Sequence, residues 1–432
     1  MQEDFLHYVW QHQYFDKTDL RTTDGQLITV LKPGYRNADA GPDFLTARLQ
    51  LAEVEWNGAV EIHLKASDWH RHQHQTDAKY DQVVLHVVYE ADQPVQRIDG
   101  SIVPALALAS RIAPDLLQAY QRLLEQPTAV LPCTTQLPLV PEVTRTSMVE
   151  RALLERLELK AAIVSELHQR VEGDWEATAY HTLATAFGFQ KNSEPLARLA
   201  KALPLAILRR HRHDPVQLEA LVFGQAGFLE ETEATAADEY IAKLRREFEF
   251  LRHKYSLHGT ALAAHEWNFL RLRPANFPSV RLAQLVAVLH ARPALFDAFL
   301  TAADLPTLLK FFQVPTADYW RNHYRPGVAG NVPSLGKSSI HVLITNVVVP
   351  LRVAYARHVG QPELVESVVA LLSLLPAEHN HLTDEYAALG FQHRSSADSQ
   401  GLLALHRTYC APRRCLQCAV GSRILQRHPA SR

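Results

Sequence analysis

No run among the 432 residues approaches the roughly 18 uninterrupted apolar residues that a bilayer-spanning helix needs. The best candidate, His341 to Val353, is broken by Thr345, Asn346, Pro350 and Arg352, so no membrane span is expected. The opening MQEDFLHYVWQHQYF has two acids and no lysine or arginine ahead of its apolar residues, which is not the charge pattern of a signal peptide. A cytoplasmic location is expected. Strong net charge is lacking too: 44 Lys and Arg against 46 Asp and Glu leave −2, so nucleic acid could be attracted only by local patches. No low-complexity tract or fixed-period repeat is evident, and 47% hydrophobic with 21% charged residues is the composition of a folded globular chain. A chain of this length is expected to form two or three domains.

Residues 3 to 15 place Phe5, Leu6, Val9 and Trp10 at helical spacing. Short β-rich runs follow over 27–31, 44–51, 59–65, 83–90 and 102–108, separated by Gly, Pro, Asn and Asp, and predict a sheet of about five strands. From Pro141 the period becomes helical, with breaks near Pro204, Pro215, Pro274 to Pro278 and Pro326 to Pro333. The expected fold class is α+β, a mixed sheet domain over 1–126 followed by a mainly helical domain over 145–400. A proline-rich linker over 127–144 and a cysteine-containing basic segment over 401–432 complete the expected organisation.

The densest chemistry lies between Asn37 and Gln75. Asp43 opens a strand after Gly41 and Pro42, and Asn57-Gly58 has the composition of a hairpin turn to the next strand. On that second strand Glu61, His63 and Lys65 are spaced by two, so their side chains leave one face. Carboxylates on two paired strands can hold a hard divalent cation, Mg²⁺ or Mn²⁺, and a neighbouring lysine or histidine can orient water. The alternative is an ordinary polar strand face. Downstream, Asp68, His70, His72 and His74 offer a separate imidazole-based metal site, or else a set of exposed loop histidines. His86, within VVLHVVYE, has the setting of a core histidine.

Three of the four cysteines fall together as Cys410-x4-Cys415-x2-Cys418, with Cys133 far upstream. In a cytosolic chain this clustering points to thiolate ligands of zinc or an iron–sulfur cluster, with His406 as a substitute fourth ligand, or to reduced structural thiols. After Asp398 no acidic residue occurs, while Arg407, Arg413, Arg414, Arg423, Arg427 and Arg432 follow, a basic patch available to phosphate or simply to solvent. Arg271, Arg273 and Arg281, interleaved with Trp267, Phe269 and Phe277, are candidates for holding phosphates and stacking bases, or for tying a proline-rich loop to its neighbours.

The order Pro42-Asp43, seventeen intervening residues, then Glu61-x-His63-x-Lys65 resembles the signature of PD-(D/E)XK nucleases over residues 1 to 110. That resemblance implies a restriction-endonuclease-like core in which Asp43 and Glu61 bind metal, Glu3 or, less readily, Asp4 completes the shell, and His63 or Lys65 takes the lysine's role. The family's lysine stands two residues after the Glu, where this chain has His63. The cysteines resemble the iron–sulfur staple found in a subset of these nucleases, with different spacing and with the lone cysteine after the core. Over most of the chain, GPDF, GAVEIHLKASDW, VVLHVVYE, FGQAGFL, RLRPANFPSVRLAQL and YC-x4-CLQCAVG resemble a bacterial family known as domain of unknown function 2851, which implies no reaction. The expected function is a divergent metal-dependent nuclease or phosphodiesterase acting on DNA or RNA. A noncatalytic nucleic-acid or protein-binding scaffold and a histidine-dependent metal hydrolase are the alternatives.

Overall fold

Glu3 and Asp4 sit in the first turn of α1 (Glu3–His12), where carboxylates complement the helix dipole, while Phe5, Leu6, Val9 and Trp10 are fully buried. This is one end of a computed structural model that describes residues 2–37, 39–125 and 131–426; the expected linker residues Pro127 to Val130, and Arg427 and Arg432, lie outside them. Six strands follow: β1 (Ile28–Lys32), β2 (Tyr35–Arg36), β3 (Phe44–Leu51), β4 (Val54–Lys65), β5 (Val83–Glu90) and β6 (Ala105–Ala107). They form one mixed sheet in the order β1-β3-β4-β5-β6, with β2 also on β3. Pairing is antiparallel up to β4 and parallel from β4 through β5 to β6. The second half of β4 and nearly all of β5 are buried on both faces, as expected where parallel strands occupy the middle of a sheet.

The hairpin turn is not at Asn57-Gly58. Leu51 pairs with Val54, so the chain reverses at Ala52-Glu53, and Asn57 and Gly58 lie inside β4 opposite Arg48 and Ala47. Gly58 is needed there because the chain entering β5 passes against it. A Cβ at this position would meet the Val84 side chain and stand 2.6 Å from the Gln82 carbonyl oxygen.

Two compact units account for the chain. The first comprises residues 1–149, 384–392 and 403–432, and the second 150–383 and 393–402. The division therefore falls within the helix Glu142–Arg170 rather than in the proline-rich stretch. The described part of that stretch is anchored by the buried side chains of Leu131, Leu137 and Val140. Nor is the cysteine segment separate: Val420, Ile424 and Leu425 are buried, and their helix Ala419–Leu425 packs on α3 (Pro114–Glu125). The fold is thus α+β, a mixed sheet followed by a mostly helical region.

The second unit is helical around an extensive apolar core. Its helix Lys337–Val359, interrupted by a π turn over Ile344–Val348, is long and apolar enough to cross a bilayer. However, 72% of its most apolar stretch is buried in the protein, as in a core helix. Arg352 within it donates to the carbonyls of Phe299 and Ala302, at the C-terminal end of the helix Leu295–Thr301.

Candidate functional site

Pairing of Phe44 with Val60 puts Asp43, just before β3, beside Glu61 on β4. Each carboxylate is held by the other strand's backbone: the Asp43 amide donates to Glu61 Oε2 at 3.1 Å, and the Ile62 amide donates to Asp43 Oδ2 at 2.9 Å. The first helix adds to the site as well. Glu3 and His7 are one turn apart on α1, and His7 Nε2 lies 3.1 Å from Asp43 Oδ2. Asp4 points elsewhere, to Arg36 at 2.7 Å, so of the two helix acids Glu3 is the one whose electrostatic neighbours include Asp43 and His72.

His63 is 1% exposed, and its ring joins a set of imidazoles. His63 Nδ1 is 2.8 Å from His86 Nε2, and His63 Nε2 is 3.1 Å from His72 Nδ1. A short helix over Asp68–Arg71 carries the chain to His72, and Gln73 adopts a left-handed conformation (φ 63°), which returns His74 to the sheet. There His74 stacks on Tyr80 at 3.7 Å, with Nε2 3.2 Å from Glu61 Oε1. One nitrogen from each of His63, His72 and His74 lies within 4.8 Å of the others, and Glu61 Oε1 is 3.5 Å from His63 Nε2. His74 Nε2 and His86 Nδ1 are buried without a hydrogen-bond partner.

The electrostatics favour a cation. Burial, then the nearby Asp43 charge, pushes Glu61 up to about 9. Burial and the surrounding rings push His63 down to about 2, and burial brings His86 down to about 3. Burial raises Glu3 as well. For His7, burial opposes the charged ring, but the adjacent Asp43 carboxylate outweighs it and holds the ring above its usual range. Neutral His63 and His86 rings beside a Glu61 carboxyl that resists ionisation form a donor set suited to a cation.

Lys65 is not in this cluster. Register places it opposite Glu90, where its Nζ reaches Glu90 Oε2 at 3.6 Å, half-exposed at the end of the strand. His70 is exposed on the short helix, so His72, His74 and His63 converge rather than His70, His72 and His74. Asp68 is buried and pairs with Arg71 at 3.1 Å. His7, His86 and Tyr80 went unselected in the sequence. The Glu3-x3-His7 spacing on one helix face was the available signal for the first, and the second required the parallel register that sets Glu61 opposite His86.

All four cysteines belong to the first unit and none forms a disulfide. They are electrostatic neighbours: Cys133 feels Cys418 and Cys415, and Cys410 feels Cys418, Cys133 and Cys415. Burial foremost, then the neighbouring thiols, pushes Cys133 up to about 12 and Cys415 up to about 11. The fully buried Tyr386 hydrogen-bonds Cys410, and its hydroxyl is 3.2 Å from His406 Nδ1.

The arginines separate. Arg281 is buried, and Arg413 donates to the carbonyls of Leu123 and Leu124 at the end of α3, so neither is displayed as a contact for a nucleic-acid backbone. Trp267 is core, with its Nε1 on the Ala226 carbonyl, while Phe269 and Phe277 are stacked by Arg325 at 4.0 and 4.6 Å. The expected aromatic surface is thus occupied by the protein itself. Arg271, Arg273 and Arg414 are exposed.

Fold and site together define an α+β protein with a partly buried carboxylate–histidine cluster on a mixed sheet. The chain belongs to the family described as protein of unknown function (DUF2851), whose model matches residues 3–381. That span contains the cluster and Cys133; Cys410, Cys415 and Cys418 lie beyond it. No curated protein and no solved structure matches the chain.

Proposed function

We propose that the first unit is a metal-dependent phosphodiesterase of the nuclease type, with Asp43, Glu61, His63, His72 and His74 as its metal-binding groups. The observation that carries this is the convergence of Asp43 and Glu61 on neighbouring strands with three imidazoles whose nitrogens approach one another within 4.8 Å. Supporting it is the arrangement of α1 before an antiparallel β1-β3-β4 set and a parallel β5, with Glu3 facing the carboxylates, in the order that the PD-(D/E)XK resemblance implies. The donor set fits a cation: the buried His74 Nε2 lacks a hydrogen-bond partner, and burial beside Asp43 keeps the Glu61 carboxyl from ionising without one. Imidazole donors favour Mn²⁺ or Zn²⁺ over Mg²⁺. A bound cation would polarise a phosphoryl oxygen and lower the pKa of water.

The protein's own groups supply orientation. A ligating His63 Nε2 leaves the proton on Nδ1, which then donates to His86 Nε2 and fixes the ring. His7 Nε2, 3.1 Å from Asp43 Oδ2, sets a charge partner beside that carboxylate. His63 takes the place of the family's lysine, and exposed Arg271, Arg273 and Arg414 are available to nucleic-acid phosphates.

The four cysteines, which are electrostatic neighbours within the first unit, are a second proposed metal site, for zinc or an iron–sulfur cluster, that would clamp the C-terminal segment to the end of the sheet domain. Four sulfur donors suit either.

The test is cleavage of single- and double-stranded DNA, RNA and bis-p-nitrophenyl phosphate by the full chain with Mn²⁺, Zn²⁺ or Mg²⁺. Metal-dependent cleavage should fall by at least about a hundredfold in Asp43→Ala, Glu61→Ala and His63→Ala, and by less than about threefold in Lys65→Ala. Unchanged cleavage in the first two variants would refute these roles. Stoichiometric metal at the histidines with no cleavage of any substrate would instead favour the scaffold reading, to which the displaced Lys65 already lends weight.

A further inference from the structure

The helix Pro278–Ala291 is buried from Pro278 through Leu289, and Arg281 sits within that stretch at 6% exposure. A guanidinium cannot discard its charge, so a buried one needs a carboxylate, a helix C-terminus or a bound anion. Arg352 in the same unit meets this need with two carbonyls at a helix end, and Arg292 does so with the carbonyls of Phe311 and Lys310. Arg281 has only neutral partners. Its Nη1 donates to Gln284 Oε1 at 2.8 Å, its Nη2 to Asn276 Oδ1 at 2.6 Å and Ser339 Oγ at 3.3 Å, and its plane lies 4.1 Å over the Phe189 ring. Its Nε is buried with no hydrogen-bond partner, and among the described residues no carboxylate pairs with it.

The guanidinium lines a half-open cavity of about 240 Å³, small beside the roughly 300–1,000 Å³ of sites for drug-sized ligands. Lys191 lines the same cavity. So do Ser338 and Ser339, in the first turn of the 23-residue helix Lys337–Val359, whose N-terminal end has no side-chain cap. No Asp or Glu is among the lining residues. Two cationic side chains, two hydroxyls and the positive end of a long helix therefore face one space, with Phe187 and Leu272 as apolar walls.

We propose that this cavity binds a phosphoryl oxyanion, with Arg281 as its buried counter-charge and Lys191 and the Ser338–Ser339 turn as its remaining donors. The inference is independent of the hydrolase reading, since none of these residues belongs to the carboxylate–histidine cluster. Its ligand is either inorganic phosphate or the phosphate of a small organic ester.

Isothermal titration of the full chain with inorganic phosphate and with phenyl phosphate, at constant ionic strength and with phenol and chloride as controls, tests the proposal. Saturable binding of a phosphate below about 10 mM is expected, with none for phenol or chloride. Tighter binding of phenyl phosphate identifies an ester as the source, and equal or tighter binding of phosphate identifies the free ion. Ser339→Glu sets a carboxylate beside Arg281 and should weaken binding at least about tenfold without lowering the melting temperature. Should that variant fail to fold, Lys191→Gln, an exposed change, should still weaken binding about threefold or more. Absence of saturable binding by both phosphates, or undiminished affinity in the folded variants, would overturn the proposal.

Discussion

Replacing Glu61 with Gln gives the sharpest test of the buried carboxylate, because the structure sets the sign of its effect. Glu61 is 5% exposed beside Asp43, and its folded pKa is pushed up to about 9, against about 4.3 for an unfolded glutamate. With the folded value above the unfolded one, the unfolded chain loses its proton first as pH rises. The contribution of Glu61 to stability is therefore complete below about pH 4 and is lost as pH climbs toward 9. The slope is about 1.4 kcal/mol per pH unit, so between pH 6 and pH 8 the metal-free wild type should lose about 3 kcal/mol relative to Glu61→Gln, which has no such proton. The amide also keeps the geometry: its oxygen can accept from the Asp43 amide, and its nitrogen can face the unpartnered His74 Nε2. Hydrogen exchange of β4 peptides in EDTA, at pH 6 and pH 8, reads the local stability of this sheet. Added Mn²⁺ or Zn²⁺ should reverse the order, stabilising wild type above the variant. A variant less stable than wild type at pH 8 in EDTA, or a difference that ignores pH, would refute the reasoning.

Two more outcomes follow from other parts of the first unit. Cys133→Ser and Cys418→Ser should each strip the metal found by elemental analysis, and any visible absorption, from anaerobically purified protein and destabilise the first unit by more than about 2 kcal/mol; metal-free wild type with both variants neutral would dismiss the cysteine site. Gly58→Ala should cost about 1–3 kcal/mol in chemical denaturation, because the added methyl meets the Val84 side chain and the Gln82 carbonyl; a variant as stable as wild type would refute the close approach.

Periodicity made much of the scaffold legible. The strands over Phe44–Leu51 and Val83–Glu90 match the bounds of their β-rich runs, and α1 matches its apolar spacing. The turn was misplaced because Asn-Gly is a local preference, whereas the strand pairing needed a residue without a Cβ at Gly58. Spacing by two correctly put Glu61, His63 and Lys65 on one face, but it could not say where along that face the chemistry stops. Register decided that, setting His86 beside Glu61 and Glu90 beside Lys65.

By itself, then, the order of residues determined the α+β class, the pairing of the strands that carry Asp43 and Glu61, and the presence of three close cysteines, all consequences of short-range period and spacing. Tertiary structure alone decided that His7, His72, His74 and His86 surround those carboxylates, that Cys133 and the three later cysteines share one compact unit, and that Arg281 is buried rather than displayed. Each of these depends on contacts between residues far apart along the chain, and a side chain's charge or metal affinity depends on what surrounds it in space.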